Sequence, residues 1–263
     1  MRAMTLKLII GILSGTLLAA CETVPETGRS QLVLISPAQE AQLGFQSFQA
    51  IKKETPIARN RSENAMLQKV GQRIARVAPL PDAKWEFVLF KDDSANAFAL
   101  PGGKVGVHTG ILPITKNEAG LATVIGHEIA HAGARHGAER ISNDLAIQLG
   151  GTVLGAALGG SSGVTRDLAM QAYGVGTQLG VALPYSRTQE LEADHLGLLF
   201  MARAGYDPRE AIAFWERFQE YSRRQGGRPP EFLSTHPLDD KRIARLRSLL
   251  PEAMAAYQQA RAG

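Results

Sequence analysis

The 263-residue sequence is almost without cysteine. It has one, Cys21, and a single cysteine makes no internal disulfide. It also lacks strong charge. The formal net charge is +4, and Arg2 and Lys7 fall in a segment read below as a leader. What remains carries about +2, too little for a basic stripe that would hold nucleic acid. No internal repeat of about 30–45 residues is visible, which excludes a solenoid. No multi-span pattern of long apolar runs is present either. What is there is ordinary globular usage, 44% apolar and 21% charged residues, in a chain long enough to bury its own core.

The N-terminus has the layout of a secretory leader. Arg2 and Lys7 give a positive start, Leu8 to Leu18 is apolar apart from small residues, and Ala19 and Ala20 are small. The run is shorter than the ~20 residues a comfortable span needs. Leu18-Ala19-Ala20-Cys21 resembles the lipobox of bacterial lipoproteins. The resemblance implies that residues 1–20 are a lipoprotein signal peptide and that Cys21 is lipidated. The alternative is an ordinary signal peptide followed by a chance cysteine. Glu22 stands where an Asp would favour inner-membrane retention, so the expected location is the outer membrane, on its periplasmic face, anchored through Cys21. Residues 21–35 read as the lipidated tether and 36–263 as the functional domain.

Within that domain, Ser36-Pro37-Ala38-Gln39 is a helix start, and the helix runs to about Lys53. A second helix covers roughly Ser62–Val77, with Met66, Val70, Ile74 and Val77 on one face. Trp85–Phe90 alternates like a strand, and Asn96–Leu112 reads as strand-turn-strand around Pro101-Gly102-Gly103. From residue 115 the chain reads helical. Capping-box spacing recurs at Thr115-Lys116-Asn117-Glu118, Ser186-Arg187-Thr188-Gln189 and Asp207-Pro208-Arg209-Glu210. A last helix covers about Asp239–Ala260, with Ile243, Leu246, Leu249 and Leu250 as its apolar stripe. Residues 145–163 are biased toward Gly and small apolar residues. They read as a tightly packed hairpin or a lid, with a membrane-contacting segment as the alternative.

The strongest local signal is His127-Glu128-Ile129-Ala130-His131, inside an apolar helical run. At about 100° per residue, the two imidazoles lie roughly 40° apart on the wheel, one turn from each other. That suits two corners of a tetrahedral zinc site, with Glu128 beside the metal rather than on it, where a carboxylate takes a proton from activated water. His136 is on the opposite side of an ideal helix from His127, and reads as a helix-end or surface histidine. The better third ligand is Glu190, with Asp194 one turn further along the same face to accept the second N–H of a zinc histidine. Arg187, three residues before Glu190, is placed to neutralise these carboxylates or to bind a substrate carbonyl. The alternative is that Glu190, Glu192 and Asp194 form a solvated acidic face.

His127-Glu128-x-x-His131 together with Glu190-x-x-Ala193-Asp194 is similar to the HtpX and CAAX-prenyl-protease type of zinc metallopeptidase, the gluzincins. Three further stretches resemble the same family: Thr27-Gly28-Arg29-Ser30-Gln31-Leu32, as in its periplasmic lipoprotein branch; Asn96–Gly103, before the active-site helix; and Ser234-Thr235-His236-Pro237-Leu238. The resemblance implies a predominantly helical α+β, zincin-like fold, with one Zn2+ per chain on His127, His131 and Glu190. Glu128 would be the catalytic base and His236 either an oxyanion donor or a ligand that holds the enzyme inactive, Arg187 being a second oxyanion candidate. The implied small sheet borders the active-site helix with its edge strand, for which Val105-Gly106-Val107 is the candidate substrate strand, an interior strand being the alternative. The implied activity is endopeptidase cleavage of misfolded or unassembled envelope proteins at a membrane surface, with no nucleic-acid partner. The competing expectation is a non-catalytic or autoinhibited zinc-stabilised scaffold for outer-membrane protein assembly.

Overall fold

The computed structural model describes residues 21–157, 186–225, 230–237 and 240–262. Two short strands come first, β1 (Cys21–Thr23) and β2 (Ser30–Leu32), followed by helices α1 (Pro37–Glu54) and α2 (Arg61–Ala75). Then come β3 (Glu86–Phe90), β4 (Ala97–Leu100) and β5 (Lys104–His108). A 3-10 turn (Thr109–Ile111) leads into α3 (Leu112–Thr115), α4 (Glu118–Gly133) and α5 (His136–Ala157). The remaining helices are α6 (Arg187–Arg203), α7 (Arg209–Arg224), α8 (Glu231–Thr235) and α9 (Asp240–Ala262). This is an α+β arrangement dominated by helices. The chain divides into two compact units, one of residues 37–136 and 183–263, the other of residues up to 36 with 137–182.

In the smaller unit, the segment expected as a tether is a hairpin. β1 and β2 pair antiparallel, and Gly28 takes a positive φ of 71° at the turn between them, a conformation that favours glycine. The Arg29 side chain meets Glu139 of α5 at 2.8 Å, and the Leu34 N–H donates to Ser142 Oγ. Cys21 is exposed at the start of β1. The leader reading falls on residues 1–20, outside the described residues. Residues 145–157 of the glycine-biased segment continue α5, and 158–163 lie outside the described residues. Among the described residues, no helix is long and apolar enough to cross a membrane.

In the larger unit the sheet order is β3-β5-β4, with β5 parallel to β3 and antiparallel to β4. Val105 and Val107 therefore lie on the central strand, and both are fully buried. Both backbone edges of β5 are used by its neighbours, so the substrate strand cannot be Val105–Val107, and the interior reading holds. The edge next to α4 belongs to β4, which packs directly on that helix. Phe48 of α1 sits on Val88 and Phe90 of β3, with Ile51, Phe98 and Leu100 completing the cluster. Gly106 allows the Phe98 ring to lie across β5, since a Cβ there would come 2.3 Å from the ring.

Helix starts follow local chemistry. Ser186 and Gln189 form the expected reciprocal capping box of α6. The start of α4 differs from expectation. Asn117 is the cap, accepting from the Gly120 N–H, because Thr115 already belongs to the short α3. α4 is buried along most of its length between β4, α2, α6 and α7, which is why its sequence is apolar nearly all round. α9 buries Ile243, Leu246 and Leu249 as expected, and adds Arg242 and Ala253.

Candidate metal centre

α4 and α6 meet at two glycines. A Cβ on Gly197 would lie 2.7 Å from the His127 backbone nitrogen, and one on Gly126 would lie 2.8 Å from the Gly197 carbonyl oxygen. This close approach brings the His127 and His131 side of α4 against Glu190 and Asp194 of α6. His127 Nε2 lies 3.1 Å from His131 Nε2 and 3.5 Å from Glu190 Oε2, and His131 Nε2 lies 3.2 Å from Glu190 Oε1. From the turn after α8, His236 Nδ1 comes within 3.3 Å of His127 Nε2 and 2.9 Å of Glu190 Oε1. All four residues are buried, and their donor atoms lie within 4.8 Å of one another.

These separations fit a metal. Tetrahedral zinc with bonds of about 2.0–2.1 Å holds its donors roughly 3.3 Å apart. Imidazole nitrogens crowded this closely around a buried carboxylate are otherwise costly to bury. Beside the cluster, Glu128 Oε1 is buried without a hydrogen bond, and His236 Nε2 lies 3.4 Å from it. The other carboxylate, Asp194, lies 3.1 Å from His127 Nδ1, as expected for a group that orients a zinc histidine.

The sequence profile of peptidase family M48 matches residues 61–250. The chain belongs to peptidase family M48. The resemblance carried by the two helical motifs is thus borne out at the level of the family and its zincin-like fold. Among curated relatives, the chain is similar to mitochondrial metalloendopeptidase OMA1 of Schizosaccharomyces pombe, 42% identical over 71% of this chain and 53% of that protein. OMA1 of Saccharomyces cerevisiae is 33% identical over 90% of this chain and 71% of its own length. The beta-barrel assembly-enhancing protease of Escherichia coli is 29% identical over 91% of this chain and 49% of its own length. The chain thus spans about half the length of the first and third of these relatives.

Within this M48 domain, two residues around the donors depart from expectation. Arg187 is exposed in the first turn of α6. The guanidinium that meets the carboxylates is Arg242 of α9, with Nε and Nη2 each 2.7 Å from Asp194 and Nη1 2.7 Å from Glu190. Arg242 also donates to the Pro237 carbonyl and lies over the Trp215 ring. His136 is not a surface residue. It is fully buried, with Nδ1 2.8 Å from His131 Nδ1 and Nε2 2.8 Å from Glu192 Oε2. The ideal-helix projection fails because α4 ends at Gly133, and Arg135 takes a left-handed φ of 57° that turns the chain back. Glu190, Glu192 and Asp194 are buried too, so the solvated-face alternative fails.

Burial and pairing set the electrostatics of the metal-free centre. Burial disfavours charge on His127, but Asp194 and Glu190 override it and raise its pKa to about 9. His131 is pushed well below the usual histidine range by burial and by positive His127. Burial raises Glu190 and Asp194, yet the histidines hold Glu190 far below the usual carboxylate range and Arg242 lowers Asp194. Glu128 goes the other way. Burial raises it, opposed by His236, His127 and a hydrogen bond from the Ala99 backbone. A buried carboxylate displaced upward beside a metal-binding cluster is the electrostatic character of a proton-transfer group.

Proposed function

We propose that the chain is a zinc-dependent endopeptidase, with His127, His131 and Glu190 holding the metal. When bound, zinc supplies Lewis-acid polarisation of the scissile carbonyl and lowers the pKa of an attacking water. Glu128 takes the proton of that water and returns it to the departing amine. Ala99 ties Glu128 to β4, and β4 is the edge on which an extended substrate backbone can add as a further strand. Such pairing demands little of the substrate sequence, which suits unfolded chains. Asp194 and Arg242 keep Glu190 and His127 aligned. His236 fills the fourth corner of the donor set, which favours an autoinhibited resting state over a standing oxyanion donor.

The observation that carries the peptidase reading is the buried, upward-shifted Glu128 next to three converging zinc donors. The Glu128→Gln variant should keep stoichiometric zinc and lose cleavage of unfolded casein by about 10²–10⁴-fold. Cleavage at the wild-type rate would refute the assignment.

Cell-envelope quality control, with misfolded or unassembled envelope proteins as substrates and anchoring at the outer membrane through lipidated Cys21, belongs to the same proposal. The name of the E. coli relative supports the envelope part, whereas the yeast relatives are named as mitochondrial. The lipobox-like sequence at Leu18–Cys21 supports the anchor. Palmitate labelling that survives Cys21→Ala would refute it.

A further inference from the structure

We infer that His136 and Glu192 are positioning residues that form a relay behind the ligand His131, and that the corner at Arg135 serves to deliver that relay. The inference rests on the zinc reading above and extends it. The two histidines of α4 are supported differently. His127 meets a carboxylate directly, Asp194 at 3.1 Å. His131 meets another imidazole, His136 at 2.8 Å, and the carboxylate comes one residue later, Glu192 at 2.8 Å from the far nitrogen.

One arrangement of protons satisfies the whole chain. A neutral imidazole that offers its Nε2 lone pair to a cation carries its proton on Nδ1. His131 Nδ1–H then donates to His136 Nδ1, so His136 carries its own proton on Nε2 and donates it to Glu192. The carboxylate at the end of the line fixes both tautomers and orients the ring of His131, as a direct carboxylate does for other metal-binding histidines. Glu190 and Glu192 lie on the same first turns of α6, so one helix supplies a donor and the end of the relay.

The corner itself is held by a separate contact. Arg135 is one of two described non-glycine residues with positive φ, and its guanidinium grips Glu40 of α1, with Nε at 2.8 Å. Glu40 is itself buried. A left-handed residue clamped by a buried carboxylate persists where surrounding structure over-determines it, and here the next residue is His136.

The test uses the full chain and measures zinc affinity by chelator competition and the visible spectrum of the Co2+-substituted protein. His136→Ala should weaken zinc binding about 10–100-fold and shift the Co2+ bands. His136→Gln, whose amide can accept from His131 and donate to Glu192, should recover most of the affinity. Glu192→Ala should fall between these two. Zinc affinity within twofold of wild type in His136→Ala, with unchanged Co2+ bands, would overturn the relay. Equal losses in His136→Ala and His136→Gln, with a matching drop in the thermal midpoint of the zinc-free protein, would overturn it in favour of a packing role. Zinc held but nothing cleaved by both the wild type and His236→Ala would refute the peptidase reading alone, because these affinities are read without turnover. A wild-type protein that binds no zinc would overturn both.

Discussion

Three of the four clustered donors and the fourth are built differently. His127, His131 and Glu190 ride on helices of 16 and 17 residues that touch through Gly126 and Gly197. His236 follows α8, a helix of five residues, and is held by its N–H to the Phe232 carbonyl and by stacking on the Phe232 ring at 4.5 Å. The first group is fixed by helix–helix packing over several turns, the second by one local turn. A metal site with a permanent side and a changeable side needs this asymmetry: under the zinc reading proposed above, affinity would come from the first, and access to the metal would be set by the second. Arg242 spans both, since it binds Glu190 and Asp194 on the helix side and the Pro237 carbonyl on the other.

Arg242 should therefore give the largest effect. Arg242→Met leaves two buried carboxylates without their cation, and removal of one partner of a buried pair costs about 3–5 kcal/mol. Urea unfolding of the zinc-free protein measures this directly. A loss below about 1 kcal/mol would mean that the histidines alone compensate the carboxylates, and Arg242 would no longer join the two sides.

Gly197→Ala comes next. The added methyl meets the His127 backbone rather than a flexible side chain, so the two helices must separate. Overpacking of this kind costs about 1–3 kcal/mol, and zinc affinity should fall with it, since the separation moves Glu190 from the histidines. Unchanged zinc affinity would show that the glycine contact does not set the donor spacing.

A third measurement tests the protonation of the helix side. His127 has a folded pKa raised to about 9 in the metal-free centre, against about 6.5 unfolded. Its contribution to metal-free stability is thus fully present below about pH 6.5 and is lost as pH rises through about 9. Zinc needs the neutral ring, so loading at pH 7 should release close to one proton from His127, and affinity should weaken as pH falls below about 9. Calorimetric titration in two buffers of different ionisation enthalpy counts that proton. A count of zero would mean that His127 is neutral before zinc arrives.

The two sides also differ in how far the sequence reveals them. His127, Glu128 and His131 are legible because helical spacing is a local rule, and Glu190 with Asp194 because the Ser186 cap fixes the face of α6. His136 is misread because one left-handed residue, Arg135, breaks the projection, and nothing local marks a non-glycine residue for that conformation. A histidine three residues after a helix that ends at Gly133 is the signal available. Arg242 is 48 residues from Asp194, so only the packing of α9 brings them together. Strand order is hidden for a similar reason. Val105 and Val107 alternate as an edge strand would, and only pairing with both β3 and β4 makes β5 interior.

The smallest expected effect on metal binding, and the sharpest for the comparison, belongs to His236. Its Nδ1 lies at donor distance from His127 and Glu190, and its Nε2 faces Glu128 at 3.4 Å. If it is the changeable side, His236→Ala should lower zinc affinity by less than about tenfold, since three donors suffice for a catalytic site. It should also release Glu128 from the neighbouring His236 ring and raise casein cleavage. A loss of zinc as severe as that of His131→Ala would place His236 among the permanent donors and abolish the asymmetry. Zinc retained but cleavage lost would instead assign it the oxyanion role, because then the ring is needed where charge develops rather than where the metal sits.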